Sequence, residues 1–503
     1  MTIRLVSIGD SLTQGFQHGA IRRCEWSYPA MVARAIGADY VVPNFNPGPG
    51  GPIVDIEELT KRVSKIAGKR INLLEAPAVG VAALSYLSEL EDYWERGPGT
   101  RAPEGGPLDH HGLAVWGFEV LDALTLSDAV CLRNTPKATD QNWFQNQVIE
   151  FAMYRTARRV LNPNRILGLA ELTQVQRAKK LAEEQGGIEN LVLALGANNA
   201  LGTCTQLALR WSQSADYRKL AHQRTCTIWE PEHFRTIYDR LVAETKQIGA
   251  KNVFVLNVPH VTIPPVTRGV SPHSGEPDAD GYYEYYTRFW IWDKDFDPDR
   301  HDCIRREDAR TIDATIDEYN AHIAKVARDN GWHLVDMCAL LDGLAFRRNA
   351  GKPPFQFPAE LVRALRDNAA TAERVRPDGT ILLDSRFFAV PDKPPAADQP
   401  ADVWQKLYRG GLFGLDGVHP TTVGYGLVAD RLLAVMRAAG VSMQGAPGEL
   451  SWPDIVAADT LLTKPPAVLA DLQGWAGVLF SRSPLIKAIG QLSGYGSQPD
   501  SER

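Results

Sequence analysis

The chain has 503 residues, of which 44% are hydrophobic and 23% charged, and its formal net charge at pH 7 is −6. This balance is typical of a soluble globular protein, and it offers no basic surface that would favour nucleic-acid binding. No apolar stretch is long enough to span a membrane, so we expect no integral membrane segment. The six cysteines are scattered and no leader-like segment precedes the first predicted strand, so we expect free thiols and a cytoplasmic protein.

Short apolar runs typical of strands alternate along the chain with helical patterns. The predicted strands are residues 3–8, 113–116, 191–195, 252–258 and 333–336. The predicted helices are residues 28–36, 141–160, 170–185, 233–248, 311–330 and 423–439. This alternation predicts an α/β fold built on a parallel sheet, and ligands of such folds bind beyond the carboxyl ends of the strands.

Three segments interrupt this alternation: residues 37–112, 262–308 and 342–412. We interpret them as insertions into one domain spanning residues 1–440, which a helical extension follows over residues 441–503. The apolar part of that extension, residues 472–490, either packs on the body or contacts a membrane or a partner. The stretch "GYYEYYTRFWIW" follows the fourth strand, so Tyr285 and Trp290 either form a satellite core or line a ligand pocket.

The first predicted strand ends in "GDSL", which places Ser11 at the carboxyl edge of the sheet. Serine and aspartate are preferred helix N-caps, so Asp10 and Ser11 are compatible with a simple helix start. Alternatively, a tight glycine-containing turn presents the Ser11 hydroxyl as a nucleophile, near backbone N–H groups that stabilise an oxyanion. A nucleophilic serine needs a base, and the base needs an orienting group.

Two later stretches supply such groups. In "GLFGLDGVHPTTVGYG", Asp416 precedes His419 by three residues, a spacing that lets the carboxylate hold the imidazole Nδ1 while Nε2 faces the serine. In "LVLALGANNALG", Asn198 follows the third strand and can offer its side-chain amide to an oxyanion. Taken singly, each stretch is also compatible with an ordinary turn.

Together the three stretches resemble the GDSL, or SGNH, hydrolases, whose blocks contribute a serine, a glycine, an asparagine and a histidine. "GDSL" resembles the first block, "GANN" the third and "DGVHP" the fifth. The resemblance implies that Ser11 is the nucleophile and that Asp416 and His419 complete a triad. It also implies that Asn198 and the Ser11 N–H are oxyanion donors, although Asn199 stands where the family usually has aspartate.

The glycine of the second block has several candidates. Gly117 is favoured because a strand-like "LAVW" leads into it and a helical "EVLDAL" follows. The competing glycines in the proline-rich "NPGPGGP" are Gly48, Gly50 and Gly51. Asp10 and Leu12, which flank Ser11, and Asn199, which follows Asn198, are further candidates for substrate binding.

The resemblance implies a three-layer α/β/α sandwich with a five-stranded, mainly parallel, flavodoxin-like sheet that carries the insertions. It implies cleavage of carboxylic esters through an acyl-enzyme, with a small-molecule or lipid-like ester as substrate. A carbohydrate O-acetyl esterase and a non-catalytic binding protein of the same fold are the alternatives. The acyl chain length and the oligomeric state stay open.

Other motifs give weaker indications. The stretch "DKDFDPDRHDCI" begins like a calcium loop, but Pro298 occupies the position that needs glycine and Ile304 the one that needs glutamate. The pair at His110 and His111 is expected at a strand entry, and His260 is expected to be a packed histidine. No Gly-x-Ser-x-Gly, Walker A or HExxH motif occurs, so we expect no metal and no cofactor.

Overall fold

The computed structural model describes residues 2–21, 23–45, 51–72, 74–103, 109–135, 149, 151–214, 226–291, 293–345, 355–444, 450–469 and 471. Within these ranges, no helix combines the length and the apolar character that crossing a lipid bilayer requires. All six cysteine thiols are free. The apolar segment 472–490 lies outside the described residues.

The strands are β1 (Ile3–Gly9), β2 (Ile188–Ala194), β3 (Asn252–Leu256), β4 (Thr267–Val270), β5 (Tyr285–Arg288), β6 (Cys303–Arg305) and β7 (His333–Val335). The helices before β3 are α1 (Ser11–Gln14), α2 (Tyr28–Ile36), α3 (Ile56–Ala67), α4 (Ala76–Glu95), α5 (Asp122–Thr125), α6 (Asp128–Arg133), α7 (Ala152–Leu161), α8 (Gln174–Glu184), α9 (Asn198–Gln206) and α10 (Pro231–Lys246). The later helices are α11 (Arg306–Asn330), α12 (Met337–Leu344), α13 (Ala359–Asp367), α14 (Ala401–Leu407), α15 (Thr422–Ala438), α16 (Trp452–Ala458) and α17 (Thr460–Thr463).

Four strands form a parallel sheet in the order β1, β2, β3, β7, which confirms the predicted α/β fold with a parallel sheet. Ile8 pairs with Leu193, which pairs in turn with Val255 on the next strand. The strands are nearly continuous apolar runs because both faces of the sheet are covered. Their carboxyl ends therefore all lie at one edge.

Successive strand residues point to two different apolar cores, one on each face of the sheet. Val6 and Ile8 of β1 belong to the core that contains side chains of α8, α10 and α11. Leu5 and Phe254 belong to the core that contains side chains of α2 and α15. Helices therefore pack on both sides of the parallel sheet.

The predicted strand at residues 113–116 is wrong, because these residues run beside β1 without forming a regular strand. The Ser7 N–H donates to His111 O at 3.0 Å, and the Leu113 N–H donates to Ser7 O at 2.9 Å. The side-chain amide of Gln174 donates to both Leu113 O and Gly9 O, each at 2.8 Å. Gly9 O also accepts the Val115 N–H at 3.1 Å, so the Gln174 amide stands in for a backbone donor only at Leu113 O, and the described residues form four regular strands in this sheet rather than five.

The other predicted strands and helices lie near their predicted positions. The predicted helix 28–36 agrees with α2 at both ends. The α8 helix begins at Gln174 rather than at residue 170, because Thr173 and Gln176 form a capping box. For the predicted helix 141–160, α7 covers most of the second half, and residues 141–148 lie outside the described residues.

All three predicted insertions contain regular structure of their own, and the third, residues 342–412, holds α13 and α14. The first holds α3 and α4, which pack against each other. The second holds β4, β5 and β6, which form a separate antiparallel sheet in that order. The α11 helix follows β6 directly, so this small sheet is joined to a helix that packs on the main sheet.

The C-terminal helices α16 and α17 pack against the body near the start of α15. The Asp459 carboxylate accepts the Val423 N–H at 2.9 Å and the Leu462 N–H at 3.1 Å, so it joins α15 to α17. Trp452 of α16 lies against Gly426 of α15, where a Cβ would come within 2.7 Å of the indole ring. The close approach of the two helices therefore depends on the missing side chain.

We expect Gly426→Ala to destabilise the protein although alanine is the better helix former. The gain in helix propensity of about 1 kcal/mol is smaller than the typical 1–3 kcal/mol cost of an overpacked contact. Gly80→Ala in α4 is the matched control, because a Cβ there meets nothing within 4 Å. Urea unfolding should show a lower free energy of unfolding for Gly426→Ala and an unchanged or higher one for Gly80→Ala; equal gains for both would contradict the packing.

Candidate active site

The carboxyl ends of the parallel strands open onto one cleft. The cleft residues that follow the strands are Asp10, Ser11 and Leu12 after β1, Leu195, Ala197 and Asn198 after β2, Asn257, Val258, Pro259, His260 and Val261 after β3, and Met337 after β7. His419 enters from the turn that precedes α15. The fold therefore brings Ser11, Asn198 and His419 to the same cleft, although they are far apart in the sequence.

Ser11 is the first residue of α1, and a tight turn at the end of β1 sets its position. Asp10 is the N-cap of this helix, and its carboxylate accepts a backbone N–H two residues later at 3.0 Å. Gly9 is required because a Cβ there would lie 2.3 Å from Thr13 Oγ1. The capping role thus falls to Asp10, and Ser11 lies in the cleft wall with only 3% of its surface exposed.

Asp416 and His419 form a buried pair in the turn between Phe413 and α15. The His419 Nδ1 lies 3.2 Å from Asp416 Oδ2, and the His419 backbone N–H donates to Asp416 Oδ1 at 2.9 Å. The Val418 N–H donates to the same Oδ1 at 2.8 Å. The Gly19 N–H donates to Oδ2 at 2.7 Å from a position 397 residues earlier. Both carboxylate oxygens are therefore fully engaged in orienting this turn.

These donors determine the charge of the carboxylate. Burial alone would raise the pKa of Asp416, but the His419 imidazole and the backbone N–H groups of Val418 and His419 outweigh it, so the pKa is lowered. Asp416 is thus an anion at neutral pH even though it is buried. An anion at Nδ1 favours the imidazole tautomer whose Nε2 has a free lone pair.

The second ring nitrogen of His419, Nε2, takes no part in the pair with Asp416. It is buried, and no group in the described part of the chain hydrogen-bonds to it. The Phe16 ring packs against the imidazole with 4.4 Å between centroids and restricts its rotation. Ser11 lies in the wall of the same cleft. A nitrogen base and a serine hydroxyl in one cleft are the two groups that serine activation needs.

His18 hydrogen-bonds to the turn that contains Asp416 and His419, a role that the sequence did not indicate. Its Nδ1 accepts the Leu415 N–H at 3.0 Å, so this nitrogen carries no proton, and its Nε2 lies 3.7 Å from Glu57 Oε2. Its φ of 55° is in the left-handed region, and Gly19 follows with a φ of 87°. The only local signal is "QHG", in which glycine follows a polar residue, and that pattern does not reveal its partners.

Asn198 begins α9 directly after β2 and lies in the cleft wall. Its Nδ2 donates to Phe118 O at 2.9 Å, which fixes the orientation of the amide. An amide nitrogen carries two hydrogens, so one N–H remains for a second acceptor. This geometry is compatible with donation to an oxyanion in the cleft.

Three other predicted residues lie beside the cleft rather than in its wall. Asn199 is buried, its Oδ1 accepting the Val120 N–H at 3.2 Å and its Nδ2 lying 3.4 Å from Glu119 Oε2. Gly117 is buried with a φ of 75°, and the next residue, Phe118, accepts the Asn198 amide. Gly51 is likewise outside the cleft wall, and Gly48 and Gly50 lie outside the described residues. The role of Gly117 stays a prediction.

Asp10 and Leu12, the neighbours of Ser11, do line the cleft. Burial raises the pKa of Asp10 to about 7, and the backbone N–H groups of Leu12 and of Asp10 itself oppose the rise. Asp10 therefore adds a carboxyl group that titrates near neutrality next to the candidate nucleophile.

Most of the cleft wall is apolar. Its aliphatic side chains include Leu195, Leu201, Leu256, Val258, Val261, Pro264, Met337, Leu340, Leu341, Leu344, Leu412 and Val428. Tyr285 and Trp290 are the predicted candidates for pocket residues. The ring centroid of Tyr285 lies 5.4 Å from that of Phe296, and the ring centroid of Trp290 lies 4.8 Å from that of Phe289. Neither residue lies in the wall of this cleft, and Trp290 packs against the core that contains Val6 and Ile8.

His260 is a buried polar residue in the cleft wall. Its Nδ1 lies 2.8 Å from Asp342 Oδ1, and its Nε2 lies 3.3 Å from Asp317 Oδ1. Burial lowers its pKa, but hydrogen bonds with Asp342 and Cys338 and the charge of Asp313 raise it to about 11. His260 is therefore an imidazolium paired with carboxylates, and it is not a free base for Ser11.

Compared with known proteins, the chain matches no protein-family model and no curated protein sequence. The resemblance to the SGNH hydrolases thus depends on the sequence blocks and on the geometry of the cleft.

We expect Asp416→Asn to lower the free energy of unfolding at pH 7 by about 1–3 kcal/mol, because an amide nitrogen cannot accept the Gly19 N–H. The pKa of Asp416 is lower in the folded than in the unfolded protein, so the extra stability of the wild type is fully present above the unfolded-state pKa of about 3.9. It is lost as the pH falls through the lower pKa of the folded state. Urea unfolding should show about the same difference at pH 5 as at pH 7, since both values lie above the unfolded-state pKa of Asp416. Asp367→Asn, at an exposed position, should change stability by less than about 0.5 kcal/mol.

Proposed function

We propose that this protein is a serine hydrolase that cleaves carboxylic esters through an acyl-enzyme, with Ser11, His419 and Asp416 as its triad. One observation carries the proposal. The buried Asp416 carboxylate holds the Nδ1 side of His419, the Nε2 of the same ring has no hydrogen-bond partner among the described residues, and His419 and Ser11 both line one cleft.

In the proposed reaction, His419 Nε2 takes the proton of the Ser11 hydroxyl as its oxygen attacks the ester carbonyl. Asp416 stabilises the imidazolium that forms, and the three backbone N–H groups on its carboxylate keep it in place. His419 then protonates the leaving alcohol. Water enters, and His419 takes its proton as the water oxygen attacks the acyl carbonyl. The bond between the acyl carbon and Ser11 Oγ then breaks, His419 returns the proton to Oγ, and the carboxylic acid leaves.

The oxyanion of the tetrahedral intermediate needs donors that are already oriented. The second N–H of the Asn198 amide is the best-supported donor, because Phe118 O fixes the amide at the cleft wall. The backbone N–H of Ser11, at the start of α1, is a second donor. The Gly117 N–H completes the proposed set, one residue before the carbonyl that orients Asn198.

The architecture is compatible with membership of the SGNH hydrolases. The four-stranded parallel sheet has helices on both faces, and residues 111–115 run along β1 where a fifth strand would lie. We infer that the fold is a variant of the three-layer, flavodoxin-like sandwich in which the fifth strand is irregular. The order of the three sequence blocks supports this assignment.

The chemistry of the cleft favours an ester with an apolar acyl group. Its wall contains many aliphatic side chains, and burying an aliphatic chain against them contributes about 0.8 kcal/mol per methylene. An acetylated carbohydrate would instead need several polar partners for its hydroxyl groups. We therefore propose a lipid-like ester as the substrate. Cleavage of acetylated carbohydrates in preference to such esters would instead support the O-acetyl esterase alternative.

A series of p-nitrophenyl esters from acetyl to palmitoyl, with acetylated sugars in parallel, tests this function. We expect kcat/KM to rise from acetyl to longer chains, and Ser11→Ala to abolish both turnover and labelling by a fluorophosphonate. Labelling that persists in a folded Ser11→Ala variant would point to another nucleophile. No turnover of any ester and no labelling of the wild type would favour the non-catalytic binding protein.

We expect Asn198→Ala to lower kcat by about 10²–10³ with a small change in KM, because the lost donor acts mainly on the oxyanion. Asn199→Ala is the matched comparison, since its side chain bonds to Glu119 and Val120 and lies outside the cleft wall. It should lower thermal stability while the folded enzyme keeps its kcat within a few-fold. An unchanged kcat in a folded Asn198→Ala variant would remove the proposed donor.

A further inference from the structure

A second cluster of reactive side chains is built by elements that do not carry the proposed triad. His260 follows β3, whereas Cys338 and Asp342 lie one turn apart on α12. Residues four positions apart share one face of a helix, so the thiol and the carboxylate both face the imidazole. The separation of 78 positions between His260 and Cys338 explains why the sequence shows no metal-binding motif.

The three groups lie at ligand-like distances. Cys338 Sγ is 3.6 Å from His260 Nδ1 and 3.7 Å from its Nε2, and Asp342 Oδ1 is 2.8 Å from Nδ1. One ligand atom from each residue lies within 4.8 Å of the other two. His260 and Cys338 are buried and Asp342 is partly exposed. Such a set of imidazole, thiolate and carboxylate donors is typical of zinc sites.

These distances can be compared with a tetrahedral site. Bonds of about 2.3 Å to sulfur and about 2.0–2.1 Å to nitrogen place the two ligand atoms about 3.6 Å apart, which agrees with the distance from Sγ to Nδ1. The nitrogen and oxygen ligands should be about 3.3 Å apart, so Asp342 would move outward by about half an ångström. Its side chain is 36% exposed and has room for this shift.

Asp317 provides the outer support that metal-bound histidines usually have. Its Oδ1 lies 3.3 Å from His260 Nε2, the ring nitrogen that would keep its proton when Nδ1 binds a metal. A carboxylate in this position fixes the tautomer and the orientation of the ring. The cluster thus contains three inner ligands and an outer carboxylate.

We propose that His260 Nδ1, Cys338 Sγ and Asp342 bind one divalent cation of the zinc type, with a water molecule at the fourth position. The thiolate ligand favours Zn²⁺ over Mg²⁺ and Ca²⁺. The bound cation joins the loop after β3 to α12, whose other face contributes Leu340, Leu341 and Leu344 to the cleft wall. This site does not depend on the proposed hydrolase activity, since it shares no residue with the triad.

The test uses the full chain after treatment with a chelator. Titration with Co²⁺ should give one cobalt per chain and a thiolate-to-cobalt charge-transfer band in the near ultraviolet, and Zn²⁺ should displace it. Elemental analysis after dialysis against Zn²⁺ should find one zinc per chain. A wild-type protein that retains no zinc and shows no such band would overturn the site.

Variants identify the ligands. Cys338→Ser should lose the band, whereas Cys303→Ser, which removes a partly exposed thiol of β6, should keep it. Asp317→Asn should keep the band and bind the metal about 10–100-fold more weakly. Circular dichroism of each variant checks its folding. A band that persists in Cys338→Ser, or that disappears in a folded Cys303→Ser, would place the cation elsewhere.

Discussion

The buried carboxylate of Asp416 is the group on which the rest of the candidate site depends. A carboxylate removed from water is very costly unless hydrogen bonds replace its hydration, and here three backbone N–H groups and an imidazole do so. One of these donors, the Gly19 N–H, comes from the segment that follows α1. The bond therefore joins the segment after α1 to the turn before α15 and brings the histidine turn towards the serine turn. His18 adds a second link by accepting the Leu415 N–H.

The parallel sheet makes that juxtaposition possible. Because every strand of the sheet runs in the same direction, the turns after β1, β2, β3 and β7 all contribute to one cleft. Polar side chains are placed only at a few of these turns, and aliphatic side chains fill the wall between them. The low polarity of this wall strengthens the interaction between Asp416 and His419, since fewer water molecules screen it. The same feature raises the pKa of the neighbouring Asp10 by burial.

Local patterns in the sequence were sufficient to predict most of the sheet, several helices and the residues that meet at the cleft. The run "IRLVSIG" predicts β1 because a strand covered on both faces is almost entirely apolar, and "YPAMVARAI" predicts α2 by its helical period. The irregular pairing of residues 113–116 could not be judged in this way, since Leu113 O bonds to the side chain of Gln174, which is 61 residues away. His18 and Cys338 were missed for the same reason: their partners lie far along the chain and leave no local signal.

The α12 helix connects the polar cluster to the shape of the cleft. Met337, Leu340, Leu341 and Leu344 line the cleft, whereas Cys338 and Asp342 face His260. A helix of eight residues makes few contacts of its own, so its position depends strongly on whatever holds its polar face. Imidazolium–carboxylate contacts can hold it, and three bonds to a cation would hold it more rigidly. The shape of the apolar cleft therefore depends in part on how this polar cluster holds α12.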